Sequence, residues 1–130
     1  MPVEMIISEE QSLTESGFVW RERGGVKVLV CTALEAAGFA NGFSTRIGGV
    51  SPFPDGDLNL AGFNEDTAEN IYENRRRFLG AFDGEFKLAM VWQVHGSDIK
   101  VVRGMDDIGD SEENADAVIS NIPGVLAGAK

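Results

Sequence analysis

Val26, Val28 and Val30 alternate with Lys27, Leu29 and Cys31, a period of two that predicts a strand over Val26–Cys31 with at least one buried face. Phe18–Arg21 reads as its partner strand, and Gly24-Gly25 between them predicts a hairpin turn. Leu34–Ala37 predicts a short helical turn ended by Gly38. Phe39–Thr45 then reads as a strand that delivers Arg46 at its C-terminal end. Ile47–Asp57 is a predicted loop, because adjacent glycines, prolines and aspartates leave little room for regular structure.

Beyond it the period changes. Ala68, Ile71, Tyr72, Phe78, Leu79 and Phe82 fall largely on one helical face. Asp66 is the expected N-cap, Glu69 stands at capping-box spacing from it, and Gly80 ends the helix. Acids lead (Glu65, Asp66, Glu69) and arginines trail (Arg75, Arg76, Arg77), which complements the helix dipole. Asn74 and Arg75 read as structural positions on this helix.

Lys87–His95 predicts a long apolar strand, and Gly96-Ser97 turns it into Ile99–Arg103. Gly104–Asn114 carries acids and no base and reads as a solvated loop, with calcium binding as the alternative. Ala115–Ser120 is a strand, Asn121–Gly124 a turn, and Val125–Lys130 the opening of another strand. Mixed strands with few helices predict an α+β fold in one domain, residues 1–130. Ending inside a strand would leave a sheet face uncovered, so the expectation is a portion of a larger domain that self-associates or lacks a C-terminal half.

Composition narrows the function. A hydrophobic content of 43% with eight phenylalanines suffices for a core, and no stretch approaches a membrane span. Met1-Pro2-Val3-Glu4 lacks the features of a signal peptide, and a single cysteine predicts a reducing, cytoplasmic setting. The net charge of −10 opposes nucleic acids and anionic membrane surfaces. A small anionic substrate remains open through a local arginine.

His95 is the only histidine. At the end of an apolar run and before Gly96, it suits a ligand or an acid/base group; the alternative is a structural histidine. Strand alternation would put Gln93 on the same face, where it could orient a substrate or a metal-bound water. Arg46, between a strand and Gly48-Gly49, could read phosphate or carboxylate, helped by exposed glycine N–H groups and the Ser44 or Thr45 hydroxyl. The alternative for Arg46 is a surface ion pair. Asn59, between two leucines, reads as a turn or backbone-bonding residue. Asp116 could fix a neighbouring histidine or end a loop. Cys31 reads as a small buried hydrophobe.

Phe43-Ser44-Thr45-Arg46-x-Gly48-Gly49-Val50-Ser51, Leu58-Asn59-Leu60, Asn74-Arg75, Gln93-Val94-His95-Gly96, Ala115-Asp116-Ala117 and Pro123-Gly124-Val125 follow one another in this order. Together they resemble the laccase-domain family, from about Asn41 onward. Members were first labelled multicopper polyphenol oxidases and are now described as zinc-dependent purine nucleoside phosphorylases with adenosine deaminase activity. The resemblance implies a four-layer α/β/β/α sandwich of mixed sheets. It also implies a zinc ion held by the histidine of Gln-Val-His-Gly, a cysteine in Ala-Asp-Cys and a histidine in His-Ala-Gly-Trp-Arg-Gly. Only the first maps here, to His95, so the expected zinc lacks two ligands; copper fits less well, since a multicopper centre needs many imidazoles.

The implied enzyme would bind phosphate at Ser44, Arg46, Gly48, Gly49 and Asn59, with Arg46 and Gln93 serving the reaction and a purine nucleoside as partner. Other readings are a polyphenol oxidase, a cysteine amidase acting on peptidoglycan precursors, and an inactive fragment or subunit needing a partner chain. His95 is expected to face a cleft with Arg46 near it.

Overall fold

The computed structural model describes residues 8–130, so the N-terminal Met1–Glu4 reading lies outside the described residues. Helix α1 (Glu9–Glu15) opens on Ser8, whose hydroxyl accepts from the Gln11 N–H while the Gln11 side chain accepts from the Ser8 N–H. This capping box was a readable signal for a helix that the hydrophobic pattern alone does not predict.

Strands β1 (Phe18–Arg23) and β2 (Val26–Cys31) form the expected hairpin, with Arg23 opposite Val26. Gly24 and Gly25 both have positive φ, 59° and 81°, the backbone a two-residue turn needs to follow strand twist. Val26, Val28 and Val30 are fully buried, so the period-two reading gives the core face correctly. Helix α2 (Thr32–Ala36) ends in a Schellman motif: Gly38 N–H donates to Glu35 O and Phe39 N–H to Leu34 O.

The strand expected over Phe39–Thr45 shrinks to β3 (Phe43–Ser44), antiparallel to β2. The reason is Asn41. Its amide accepts from Cys31 N–H at 2.8 Å and donates to Cys31 O at 3.0 Å, taking the place of a ladder pair. Cys31 is accordingly half-buried rather than sealed in the core.

Ile47–Asp57 also departs from expectation, because Ile47–Ser51 is strand β4. Asp57 folds back to bridge both Ile47 and Ser51, closing a narrow antiparallel loop. The principal helix, α3, spans Ala68–Leu79 and ends at Gly80, but its cap is Thr67, whose hydroxyl accepts from Asn70 N–H. Asp66 stands one residue earlier and accepts from Thr67 N–H and the Asn70 side chain. The buried face of α3 is Ile71, Asn74, Arg75 and Phe78, whereas Tyr72 and Ala68 are exposed. Phe78 and Phe82 pack edge to face at 5.2 Å against Val26, Val28, Val30 and Leu58.

The remaining strands are parallel. β5 (Lys87–Val91) pairs with β8 (Val125–Ala129), and β6 (Ile99–Val102) with β7 (Ala117–Ser120). A single parallel bridge between Trp92 and Asn114 brings β7 beside β5. A 3-10 turn over Met105–Asp107 breaks the expected acidic loop, with Asp107 accepting from Arg103 and Gly104 N–H. Antiparallel and parallel strands with helices make the fold α+β, as the pattern predicts. An open apolar concavity of about 480 Å³ lies between the two strand systems, lined by Leu34, Phe43, Leu60, Leu88, Met90 and Leu126 among others.

Candidate functional site

Arg46 leaves β3 through Thr45, whose hydroxyl donates to Lys27 O at 2.7 Å and accepts from Ile47 N–H at 3.2 Å. That turn throws the Arg46 side chain outward, where it is exposed. Arg21 pairs with Glu35, Arg23 with Asp83, and both Arg76 and Arg77 with Glu73. Among the described residues Arg46 has no such partner, and neither have Arg75 and Arg103. Arg46 opens onto a concavity of about 380 Å³ shared with Ser44, Asp57, Asn59 and Lys130.

The glycines behind it serve packing. Gly48, at φ +107°, would place a Cβ 2.6 Å from Gly25 O, and a Cβ on Gly49 would lie 2.1 Å from Asp57 O. Gly49 N–H donates to Gly56 O at 3.0 Å, so this amide is not the exposed anion donor expected from sequence. Asn59 likewise spends its side-chain oxygen on Ala61 and Gly62 N–H, at 3.0 and 3.1 Å, as a turn residue does.

Several of the recurring motif residues meet at one buried junction instead. Asn74 accepts from Val50 N–H at 2.8 Å and donates to Ser51 Oγ at 2.9 Å and Asn59 O at 2.8 Å. Ser51 in turn donates to Asp66 at 2.6 Å. The Ser51 hydroxyl, then the Asn70 amide and Thr67 N–H, hold the Asp66 carboxyl below its ordinary value. Next to it Arg75 donates to Leu60 O and Ser111 Oγ and stacks 4.9 Å from the Phe63 ring centroid. Burial pulls the Arg75 guanidinium below its ordinary value, and its Nη2 has no hydrogen-bond partner among the described residues.

His95 does not stand at a strand end. β5 stops at Val91, and beyond the Trp92 bridge Asp116 captures the backbone. Its Oδ1 accepts from Val94 N–H at 3.0 Å and His95 N–H at 2.9 Å, and its Oδ2 from Gly96 N–H at 2.6 Å. His95 takes φ +59°, which abolishes the strand alternation that was to put Gln93 and His95 on one face. Gln93 instead donates from its side chain to Asp116 O at 3.4 Å. Asp116 does fix the histidine, but through its backbone.

Lys130 lines the Arg46 concavity and is bonded to Gln93, two residues before His95. Gln93 N–H donates to Lys130 O at 2.9 Å, and the Lys130 ammonium, bonded to Ala61 O and Glu112, lies 5.0 Å from the Trp92 ring centroid. His95 itself is not among the residues lining the Arg46 concavity. No local signal in the sequence marks Lys130, because its partners are remote. One imidazole supplies one donor, and among the described residues no group of three or more His, Cys, Asp or Glu side chains converges as a metal cage.

A family profile described as multi-copper polyphenol oxidoreductase laccase matches residues 40–130. Purine nucleoside phosphorylase YfiH of Escherichia coli K12 is 36% identical over 100 residues, covering 77% of this chain and 40% of that protein. Its namesake from Shigella flexneri is 39% identical over 83 residues, covering 64% of this chain and 33% of that protein. The chain thus spans well under half the length of these curated relatives. No solved structure matches it significantly.

Proposed function

The chain belongs to the multi-copper polyphenol oxidoreductase laccase family, and from that premise we propose that it is part of a purine nucleoside phosphorylase whose phosphate side it supplies. The observation that carries this reading is the exposed Arg46 guanidinium, without a carboxylate partner among the described residues, at the mouth of a concavity shared with Ser44 and Lys130. A guanidinium fork is suited to a phosphate dianion. In phosphorolysis a phosphate oxygen forms the bond to ribose C1′ while the N-glycosidic bond breaks, and the purine leaves with the electron pair and gains a proton. Arg46 and Ser44 would hold the phosphate for that attack. Asn59 would shape the wall of the site, with Gly48 and Gly49 supporting it from behind.

The family is metal-associated, as its description says. We propose zinc as the ion and His95 as one donor. The residues present do not complete such a site, so the chemistry assigned to this chain is binding and orientation, with Gln93 next to the His95 loop as an orienting group. A catalytic zinc would act as a Lewis acid. Adenosine deaminase activity is the finer reading, tested by ammonia release and inosine formation. The α+β unit would form part of a four-layer sandwich in a cytoplasmic enzyme; no helix of the described residues is long and apolar enough to cross a membrane. A polyphenol oxidase has against it the single imidazole in 130 residues.

The test uses a full-length protein carrying this segment, assayed for phosphate-dependent release of free base from inosine. Arg46→Ala should raise the KM for phosphate by about tenfold or more, the loss of one charge-assisted contact, while metal content by mass spectrometry stays constant. His95→Ala should lose the metal. An unchanged phosphate KM in Arg46→Ala would overturn the phosphate assignment, and oxygen-dependent phenol oxidation without phosphorolysis would favour the oxidase.

A further inference from the structure

Three consecutive N–H groups, those of Val94, His95 and Gly96, point at a single carboxylate. Successive amides converging in this way form a nest, the concavity that elsewhere in proteins recruits phosphate or another anion. Here the anion belongs to the chain itself. Asp116 reaches the nest from the start of β7, and its own backbone is tied on both sides: its N–H donates to Asp98 O at 2.9 Å and its C=O accepts from Gln93 Nε2.

The geometry accounts for two sequence features of the loop. His95 occupies the left-handed region at φ +59°, a conformation costly for most side chains unless surrounding bonds hold it. A Cβ on Gly96 would lie 3.1 Å from Asp116 Oδ2, tighter than ordinary contact, so the glycine after the histidine lets the carboxylate approach without shifting. A carboxylate offers acceptors only and therefore suits three convergent donors; a neutral amide offers one acceptor oxygen and a donor group that opposes the third N–H.

We propose that Asp116 is a positioning residue, an internal carboxylate that fills an anion-binding nest and thereby fixes the backbone from which His95 projects. The functional weight of this role rests on the reading of His95 as a ligand, but the nest itself does not. A vacated nest should accept a small external carboxylate of the same chemistry, such as formate.

The experiment measures amide hydrogen exchange and amide chemical shifts by NMR in a metal-free full-length protein carrying this segment and in its Asp116→Ala variant, each with sodium formate or with sodium chloride at equal ionic strength. Exchange at Val94, His95 and Gly96 in Asp116→Ala should accelerate at least about tenfold, with β6 and β7 amides little changed, and formate but not chloride should restore protection. Unaltered protection of the three amides would overturn the proposal. So would a loss spread equally over β6 and β7 that formate does not reverse, because Asp116 would then be a brace of the sheet. Should Asp116→Ala not fold, Asp116→Asn decides. The Asn oxygen can still serve Val94 and His95, so a loss confined to Gly96 N–H supports the nest and an unchanged Gly96 amide refutes it. No metal enters these measurements, so their failure is separable from failure of the zinc assignment.

Discussion

Arg46 and His95 each sit on a segment whose backbone is gathered by one side chain from a distant element, but the two clasps are built differently. On the Arg46 side the clasp is Asn74, a neutral amide with no solvent exposure, which binds Val50, Ser51 and Asn59. On the His95 side it is Asp116, a half-buried carboxylate serving three N–H groups of an exposed loop. The difference follows from what must be satisfied. The buried junction presents both donors and acceptors, which an amide can meet without bringing a charge into the core. The surface loop presents donors alone, and near water a carboxylate loses little solvation by meeting them. Burial makes the first clasp a matter of global stability and the second a matter of local order.

The sharpest way to break that contrast is Asn74→Ala. Three groups, one buried and two half-buried, would lose a partner, and the expected loss is about 3 kcal/mol in urea unfolding, enough to threaten cooperative folding. A loss below about 1 kcal/mol would mean that water or neighbours replace the amide, and the contrast in burial would fail. Next is Gly49→Ala, whose Cβ would meet fixed backbone of Asp57 at 2.1 Å. A destabilisation of about 3 kcal/mol is expected from this overpacking, read as a lowered urea midpoint.

Asp116→Asn should cost less globally, about 1 kcal/mol, because the bonds it weakens lie on an exposed loop. A thermal melt as strongly lowered as that of Asn74→Ala would show that both clasps are global. Acid should act on the Arg46 side through α3. Bonds from Arg76, then Arg77, lower the Glu73 carboxyl from 4.5 to about 2. A depressed folded pKa means stabilisation that is present above the ordinary value and lost as pH falls through the folded one. Melting temperature should therefore decline between pH 4.5 and about 2, less steeply in Glu73→Gln and less steeply in high salt, since this carboxylate is only half-buried. A slope unchanged by Glu73→Gln would place the acid sensitivity elsewhere. The smallest stability effect belongs to Arg46→Ala, within about 0.5 kcal/mol by thermal melt, as expected of an exposed side chain with no ion pair or hydrogen bond among the described residues.

Local pattern determined a good part of this protein. The alternation of Val26, Val28 and Val30, the Gly24-Gly25 turn and the helix ending at Gly80 were all readable, because each rests on side-chain period or on a backbone angle that one residue type favours. The order of short motifs is itself enough to point to the family. What pattern did not reveal was how those motif residues are used. Asn74 and Ser51 share a buried junction because their partners lie 15 to 24 residues away, whereas the Asn59 turn, which the sequence does suggest, uses the nearby Ala61 and Gly62 N–H groups.

The end of β5 at Val91 was equally hidden, since it depends on a carboxylate more than 20 residues downstream that competes for the next amides. Nor could period reveal that β5 pairs with β8 and β6 with β7, all in parallel. Sequence by itself determined the β1–β2 hairpin, the principal helix and most of the later strands, and that one imidazole was available. Only the tertiary structure decided which backbone groups those segments leave to be satisfied, and so which polar side chains are spent on holding the chain and which remain free to meet a ligand.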